Sequence, residues 1–213
     1  MALRSSPAAL ETATDLRILE LAAEHIRRFG IERTSVTGIA EAAGMSHANV
    51  YRYYPSKTAL FDEITAAWLK SLEAGLRIIA DAQDPAFDKL ERMVFAIHRT
   101  YREKLESDPK IFRLFVEATG KAAPVARRHR TRVELEIHRI LDEGAGSGLV
   151  EIKDARSCLK LVLDALHRFV DPAAIARDID QTRPELEERV ARVMDLLRLV
   201  LASVIHDFKL QNL

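Results

Sequence analysis

The sequence predicts an all-α fold, with a small N-terminal domain of short helices joined through a long helix to a larger helical body. Three observations lead there. Glycine and proline are sparse, 8 and 7 in 213 residues, so few turns with positive φ are available and long helices are favoured over many short strands. Apolar residues recur at three- and four-residue steps, and no alternating strand pattern competes with them. Cap residues, glycines and prolines stand where the periodic runs begin and end.

Taken in order, residues 1–11 read as a loose leader. The first helix starts near Thr12 or Thr14 and runs to Phe29, with Leu16, Leu19, Ala22, Ala23, Ile26 and Phe29 as its apolar face and Gly30 as its C-cap. Thr34 and Ser35 offer N-caps for a short helix, Val36 to Ala43, which Gly44 stops. Ser46 caps another short helix to about Tyr53, and Pro55 breaks it. Ser56 then opens a long helix from Lys57 to about Ala80.

Asp84-Pro85 and Asp108-Pro109 both read as an N-cap followed by proline at the first helical position, opening helices over 85–105 and 109–119. A helix over 122–143 ends in the run Gly144, Gly146, Gly148, and another over 154–169 stops at Asp171-Pro172. A short piece covers 172–179. Thr182 and Glu185 form a capping box that opens the last helix, to about Phe208. The division implied is 1–56 and 57–213, with the long helix as the joint.

Composition excludes several classes. Hydrophobic residues make up 48% and charged residues 30%, as in soluble globular chains. The charge is balanced, 32 basic against 32 acidic, and residues 1–57 carry seven basic against six acidic, so electrostatics alone makes no case for nucleic acid. A single cysteine, Cys158, excludes a disulfide framework and a cysteine-based zinc site within one chain. No run of about 18 apolar residues is present, so no membrane span or membrane partner is expected. The N-terminus lacks the apolar block of a signal peptide, which makes the cytoplasm the default location. The seven histidines form no His-x-x-x-His pair, and no phosphate loop, nucleophile elbow or metalloprotease motif is present. No metal, no cofactor and no enzyme active site are expected.

The most informative stretch is 34–57. Two short helices that cross steeply need a small residue at their contact, a glycine in the tight turn and an apolar core between them. Ala40, Gly44 and the set Ile39, Ala43, Met45 and Val50 meet those needs. The second helix then presents His47, Ala48, Asn49, Tyr51, Arg52 and Tyr53, the side-chain types that read base edges and grip phosphates in a major groove. Thr34, Ser35 and Thr37 sit at a helix N-terminus that suits a phosphate, and Lys57 adds a positive charge. Tyr51 and Tyr53 are also compatible with a core role, and Tyr54 is read as core, against Phe29 and Leu60.

The sequence Thr34-Ser35-Val36-Thr37-Gly38-Ile39-Ala40, with Ala43-Gly44-Met45-Ser46, Val50-Tyr51-Arg52-Tyr53-Tyr54-Pro55-Ser56-Lys57 and Leu60-Phe61, resembles the N-terminal domain of the tetracycline-repressor (TetR) family. The resemblance covers about 50 residues; beyond them the chain is similar in length and helicity only. It implies an N-terminal three-helix helix-turn-helix DNA-binding domain at 1–56, with the motif at about 36–53, joined by a long helix to a C-terminal helical ligand-binding and dimerisation domain at 57–213. It further implies a homodimeric repressor that binds a roughly palindromic double-stranded DNA operator and leaves it when a small molecule binds. The resemblance places DNA contacts at Val36, Thr37, His47, Ala48, Tyr51, Arg52, Tyr53 and Lys57; with Thr34, Ser35, Ser46 and Asn49, read from the residues themselves, they make up the expected set. His47 and Arg52 depart from the family's usual residues, which leaves direct base readout unassigned.

In the body, Leu186, Val190, Val193, Leu197, Val200 and Val204 alternate by four and three, a heptad seam widened by Met194, Leu201 and Phe208. With Cys158, Leu161, Val162, Ala165 and Phe169 on the preceding helix, it reads as a four-helix dimer interface; a core within one chain is the alternative. Candidate ligand contacts are Met93, Phe95, Ile97, His98, Tyr101, Phe112, Phe115, Ile137, His138, Leu166 and Phe169, apolar walls with a few polar handles, suited to a lipophilic effector. The same stripe is the ordinary pattern of a core. The basic run Arg127, Arg128, His129, Arg130, Arg132 reads as a solvated helix face. A helical carrier or enzyme, and a DNA-binding protein without a ligand, are the competing readings.

Overall fold

The computed structural model describes the backbone of residues 7–146 and 155–211, and the side chains of 13–144 and 158–201. Ten helices and no strand occur among the described residues: α1 (Pro7–Phe29), α2 (Val36–Ala43), α3 (His47–Tyr53), α4 (Lys57–Ala80), α5 (Ala86–Ser107), α6 (Pro109–Gly120), α7 (Pro124–Gly146), α8 (Ala155–Val170), α9 (Pro172–Arg177) and α10 (Arg183–Gln211).

Helix α1 is described from Pro7 onward, more than a turn before the Thr12 or Thr14 start that caps suggest. Ala8, Ala9, Leu10 and Glu11 are good helix formers, so nothing stops the helix from covering them. Its buried stripe is Ile18, Ala22, Ala23 and Ile26. Leu16 and Phe29, expected inside, are 54% and 41% exposed; the four-residue row through Ile18 takes the inward face in their place.

At 84–86 the expected cap fails. Pro85 itself holds the N-cap position with ψ 141°, no side chain caps the helix, and α5 begins at Ala86. The Asp84 carboxylate pairs with Arg92 instead. Asp108 does stand before Pro109, yet its carboxylate turns to Arg27 and Lys104 rather than to the helix amides. Thr182 and Glu185 form the reciprocal capping box, with the Thr182 N–H donating to Glu185 at 3.1 Å and the Glu185 N–H to Thr182 Oγ1 at 3.4 Å.

Two apolar cores result. The N-terminal one gathers Ile18, Ala22, Ile26, Ile39, Ala40 and Val50, and it reaches past residue 56 to Leu60 and Ile64 on α4 and to Ile111 and Leu114 on α6. The second lies among α4, α5, α6, α7, α8 and α10, around residues such as Leu69, Met93, Phe112, Phe115, Ile140 and Val190. Helix α4 carries Leu60 and Ile64 into the first core and Leu69, Leu72 and Leu76 into the second, so it belongs to both. Polar links reinforce the joint: Arg27 Nε donates to Asp108 at 2.9 Å, Lys110 Nζ to the Arg27 carbonyl at 2.7 Å, and Arg113 pairs with Glu32 at 2.6 Å. Buried Lys89 on α5 donates to the carbonyls of Ala80 and Ala82 at 3.1 and 3.0 Å and pairs with Glu143, tying the end of α4 to α7.

Candidate nucleic-acid interface and internal cavity

The crossing of α2 and α3 is set by its turn. Gly44 caps α2 at φ 66° and ψ 34°, a left-handed conformation that any Cβ penalises. The Met45 N–H donates to the Ala40 carbonyl at 3.0 Å and the Gly44 N–H to the Glu41 carbonyl at 3.1 Å, which satisfies the end of α2. Ser46 then starts α3, its hydroxyl accepting from the Asn49 N–H at 3.2 Å. At the other end of α2, Ser35 Oγ accepts from the Gly38 N–H at 3.1 Å. A Cβ at Gly38 would stand 3.1 Å from the His25 ring, so this glycine lets α1 and α2 approach closely.

Helix α3 buries Val50 and turns His47, Ala48, Tyr51 and Arg52 outward, with Asn49 and Tyr53 half-buried. The His47 and Tyr51 rings meet edge to face at 4.7 Å, and the Arg52 guanidinium lies 5.4 Å from the Tyr53 ring centre. This outer face brings together an imidazole, phenols, an amide and a guanidinium, the donors and acceptors that base edges and phosphates require. Ser35, Thr37 and Ser46 are exposed as well. Three of the expected contacts sit elsewhere. Thr34 is buried and its hydroxyl donates to the Gly30 carbonyl at 2.7 Å. Val36 is part of the N-terminal core. Lys57 Nζ donates to the Ile31 carbonyl at 3.2 Å and lies over the Phe61 ring, stapling the α1–α2 connection to α4. Tyr54 is core as expected, but its hydroxyl donates to the Asp15 carbonyl and Phe29 is exposed.

A cavity of about 320 Å³ lies among α5, α6, α7 and α8. Its buried wall is Ile97, Tyr101, Phe115 and His129; toward the surface it is lined by Arg127, Arg130, Glu134, Asp164 and His167. Tyr101 Oη and His129 Nε2 are 2.6 Å apart, and His129 Nδ1 is 2.8 Å from Glu73 on α4, which also pairs with Arg132. Burial pushes the Glu73 carboxyl up, but the hydrogen bonds and charges of His129 and Arg132 outweigh it and hold it below the usual range. Ionised Glu73 can only accept, so His129 Nδ1 carries a proton. Burial, with the carboxylates of Asp171 and Glu73, pushes the Tyr101 phenol far above its ordinary value.

Two sequence families match this chain. Residues 18–64 match the family described as bacterial regulatory proteins, tetR family. Residues 86–194, half of the chain, match the tetracyclin repressor-like C-terminal domain. The chain belongs to the tetracycline-repressor family. It is similar to the HTH-type transcriptional regulator YhgD of Bacillus subtilis, at 24% identity over 181 residues, which cover 84% of this chain and 91% of that one. It is 32% identical over 79 residues to the HTH-type transcriptional repressor KstR2 of Mycobacterium tuberculosis, 37% of this chain and 40% of that one. Among solved structures it is similar to the TetR-family regulator PfmR of Thermus thermophilus, with a TM-score of 0.57 and 27% identity over 91% of this chain and 96% of the other. The protein is a DNA-binding transcriptional regulator of this family.

Of the ligand contacts expected within this TetR-family body, Ile97, Tyr101 and Phe115 line the cavity. Met93, Phe112, Ile137, Leu166 and Phe169 fill the closed core. His98 is buried with Nδ1 donating to the Phe169 carbonyl at 3.1 Å. Phe95 lies at the core edge beside Arg99, and His138 is occupied by Asp142 at 2.8 Å. The basic run is not one solvated face: His129 is buried, and Arg127 and Arg130 line the cavity. The available signal was spacing, since Val125, His129, Val133 and Ile137 follow one four-residue row of α7.

The α10 seam is also redistributed. Leu186, Val190, Met194, Leu197 and Leu201 are buried within one chain, as is Val162 on α8, so none of them is on offer to a partner. Cys158 and Val193 are half-buried. A straight helix has 3.6 residues per turn, so its inward row runs 186–190–194–197–201 and leaves the strict 3.5-residue seam at Val193 and Val200. The outward apolar face is Leu161 and Ala165 on α8 with Leu196, Leu199 and Val200 on α10. The side chains of Val204 and Phe208 lie outside the described residues.

Proposed function

We propose that this regulator is a homodimeric repressor whose two α3 helices read the halves of a roughly palindromic operator, and that a small, mainly apolar effector in the α5–α8 cavity releases it. The observation that carries the reading is the outer face of α3, where Tyr51, Arg52 and His47 are exposed on a helix whose position is fixed by Gly44, Ser46 and Val50. The contact set narrows to Ser35, Thr37, Ser46, His47, Ala48, Asn49, Tyr51, Arg52 and Tyr53. Dimerisation through α8 and α10 is supported by their outward leucines, with Leu196 at 62% and Leu199 at 67% exposure. Two-fold symmetry then sets the reading helices about 34 Å apart, one turn of DNA, or somewhat more.

Release is a matter of linkage. A ligand that prefers the protomer arrangement in which the α3 helices miss successive grooves lowers operator affinity by that same preference. Helix α4 spans the reading domain and the body, and α6 packs Ile111 and Leu114 into the core of the reading domain, so the two are coupled through both helices. The unit boundary accordingly lies within α4 rather than at residue 56. The cavity favours this reading over a ligand-independent DNA-binding protein. The test is a titration of the protein against DNA flanking its own gene at two salt concentrations, repeated with Arg52→Ala. A segment bound tightly, with affinity falling steeply as salt rises and weakened by the substitution, supports it. Operator affinity that no small molecule changes would remove the effector from the account.

A further inference from the structure

We propose that the α5–α8 cavity takes a small, uncharged aromatic molecule carrying a hydroxyl group, seated with that hydroxyl donating to Tyr101 Oη. The inference rests on the reading of this cavity as the effector site and names the chemistry it selects.

Size comes first: about 320 Å³ stands at the lower end for ligand pockets, so the occupant is small. The buried wall is aromatic. Tyr101 and Phe115 meet edge to face at 5.3 Å, and Phe115 and His129 do so at 5.5 Å. A further ring continues that arrangement, which an aliphatic ring cannot do.

The polar requirement follows from hydrogen-bond inventory. With His129 neutral, its Nδ1 proton goes to Glu73, Nε2 accepts the Tyr101 proton, and the tyrosine oxygen keeps two lone pairs. With His129 protonated, Nε2 donates to that oxygen, which still keeps one. A ligand O–H therefore finds an acceptor in both states. A carboxylate seated at Tyr101 Oη, which can only accept, finds a donor there in the second state alone, and then meets the field of Asp171 and Glu73. At the buried wall Glu73 is committed to His129 and Arg132, which leaves no free carboxylate there for an ammonium. Toward the surface Arg127 and Arg130 stand with Glu134, Asp164 and Asp171, so charges of both signs occur together and favour neither an anion nor a cation.

The test is calorimetric titration of the full chain with four probes of one shape: 4-propylphenol, propylbenzene, 4-propylbenzoate and 4-propylcyclohexanol. One neutral hydrogen bond to a buried acceptor corresponds to roughly a tenfold preference, so 4-propylphenol should bind about tenfold tighter than propylbenzene and 4-propylbenzoate. 4-Propylcyclohexanol keeps the hydroxyl and lacks only the aromatic ring, so it should bind roughly two- to tenfold more weakly than the phenol; equal binding of the cyclohexanol overturns the aromatic part of the proposal. Tyr101→Phe alone frees His129 Nε2 to accept the ligand hydroxyl, so the variant to use is Tyr101→Phe with His129→Leu. There the phenol's advantage over propylbenzene should vanish while propylbenzene binds as before, which also reports an intact cavity. Equal binding of the benzoate or of propylbenzene, a preference that survives the double substitution, or no binding by any of the four overturns the proposal. Binding of 4-propylphenol that leaves operator affinity unchanged upholds the ligand class and overturns the effector reading. Release of DNA by other compounds, with no binding of the phenol, does the reverse.

Discussion

Two glycines with open space around them separate backbone strain from packing. A Cβ built at Gly44 or at Gly75 meets nothing within 4 Å, so neither Gly44→Ala nor Gly75→Ala changes a contact. They differ in φ. Gly44 sits at +66° in the turn, whereas Gly75 lies inside α4 with a helical backbone. An L-residue in the left-handed region costs about 1–2 kcal/mol, and alanine returns about 0.4–1 kcal/mol by narrowing the unfolded ensemble. Gly44→Ala should therefore destabilise by about 0.8 kcal/mol, and by no more than about 1.6 kcal/mol. Inside a helix alanine is better than glycine by about 0.5–1 kcal/mol, so Gly75→Ala should stabilise by that amount. For a chain of this size 1 kcal/mol moves Tm by about 2–4 °C. Thermal unfolding followed by circular dichroism, at one fixed protein concentration, should show a fall for the first and a rise for the second. Gly44→Asn should recover part of the loss, because asparagine tolerates this conformation. Shifts of the same sign at both positions would refute the reasoning.

Lys89→Met keeps the side-chain volume but leaves the Ala80 and Ala82 carbonyls and Glu143 without their donor; urea unfolding should show a loss of about 2–4 kcal/mol at an unchanged m-value, and a change under about 0.5 kcal/mol would count against this anchor. Burial holds the His98 imidazole below its ordinary value of 6.5, so beneath that pH the unfolded chain takes up a proton that the folded chain does not, and stability falls as pH falls. Between pH 7.5 and 5.5 the wild type should lose more stability than His98→Asn, and equal losses would contradict a buried neutral imidazole. Arg52→Ala should weaken operator binding, flattening the log–log salt slope by about 0.9 if Arg52 holds a phosphate or leaving the slope and relaxing one base position if it reads a guanine; no effect on either would remove Arg52 from the interface.

Legibility followed local chemistry. Caps and glycines are local signals, so Ser35, Gly44, Ser46, Ser56 and the Thr182–Glu185 box placed their helices where the structure has them. Burial is not local. Leu16 and Ile18 are equally apolar, and which of them faces inward depends on where α4 and α6 sit against α1. The same holds for Val193 and Met194 on α10, a residue apart on one stripe. Thr34 and Lys57 looked available for phosphates because their partners, the carbonyls of Gly30 and Ile31, carry no side-chain signature. His129 was hidden among arginines, although it shares a four-residue row with Val125 and Val133. Its partners Tyr101 and Glu73 come from α5 and α4, 28 and 56 residues away in the chain.

On the proposed function the outer face of α3 reads DNA and the cavity controls it. The most direct measurement is the affinity of the purified protein for DNA flanking its own gene, at two salt concentrations, with and without a ligand shown to fill the cavity. Tight binding to one segment is expected, with a steep loss as salt rises and a further loss when the cavity is filled. Binding of equal strength to every segment, or one segment held equally tightly with the cavity full and empty, would contradict the proposed function.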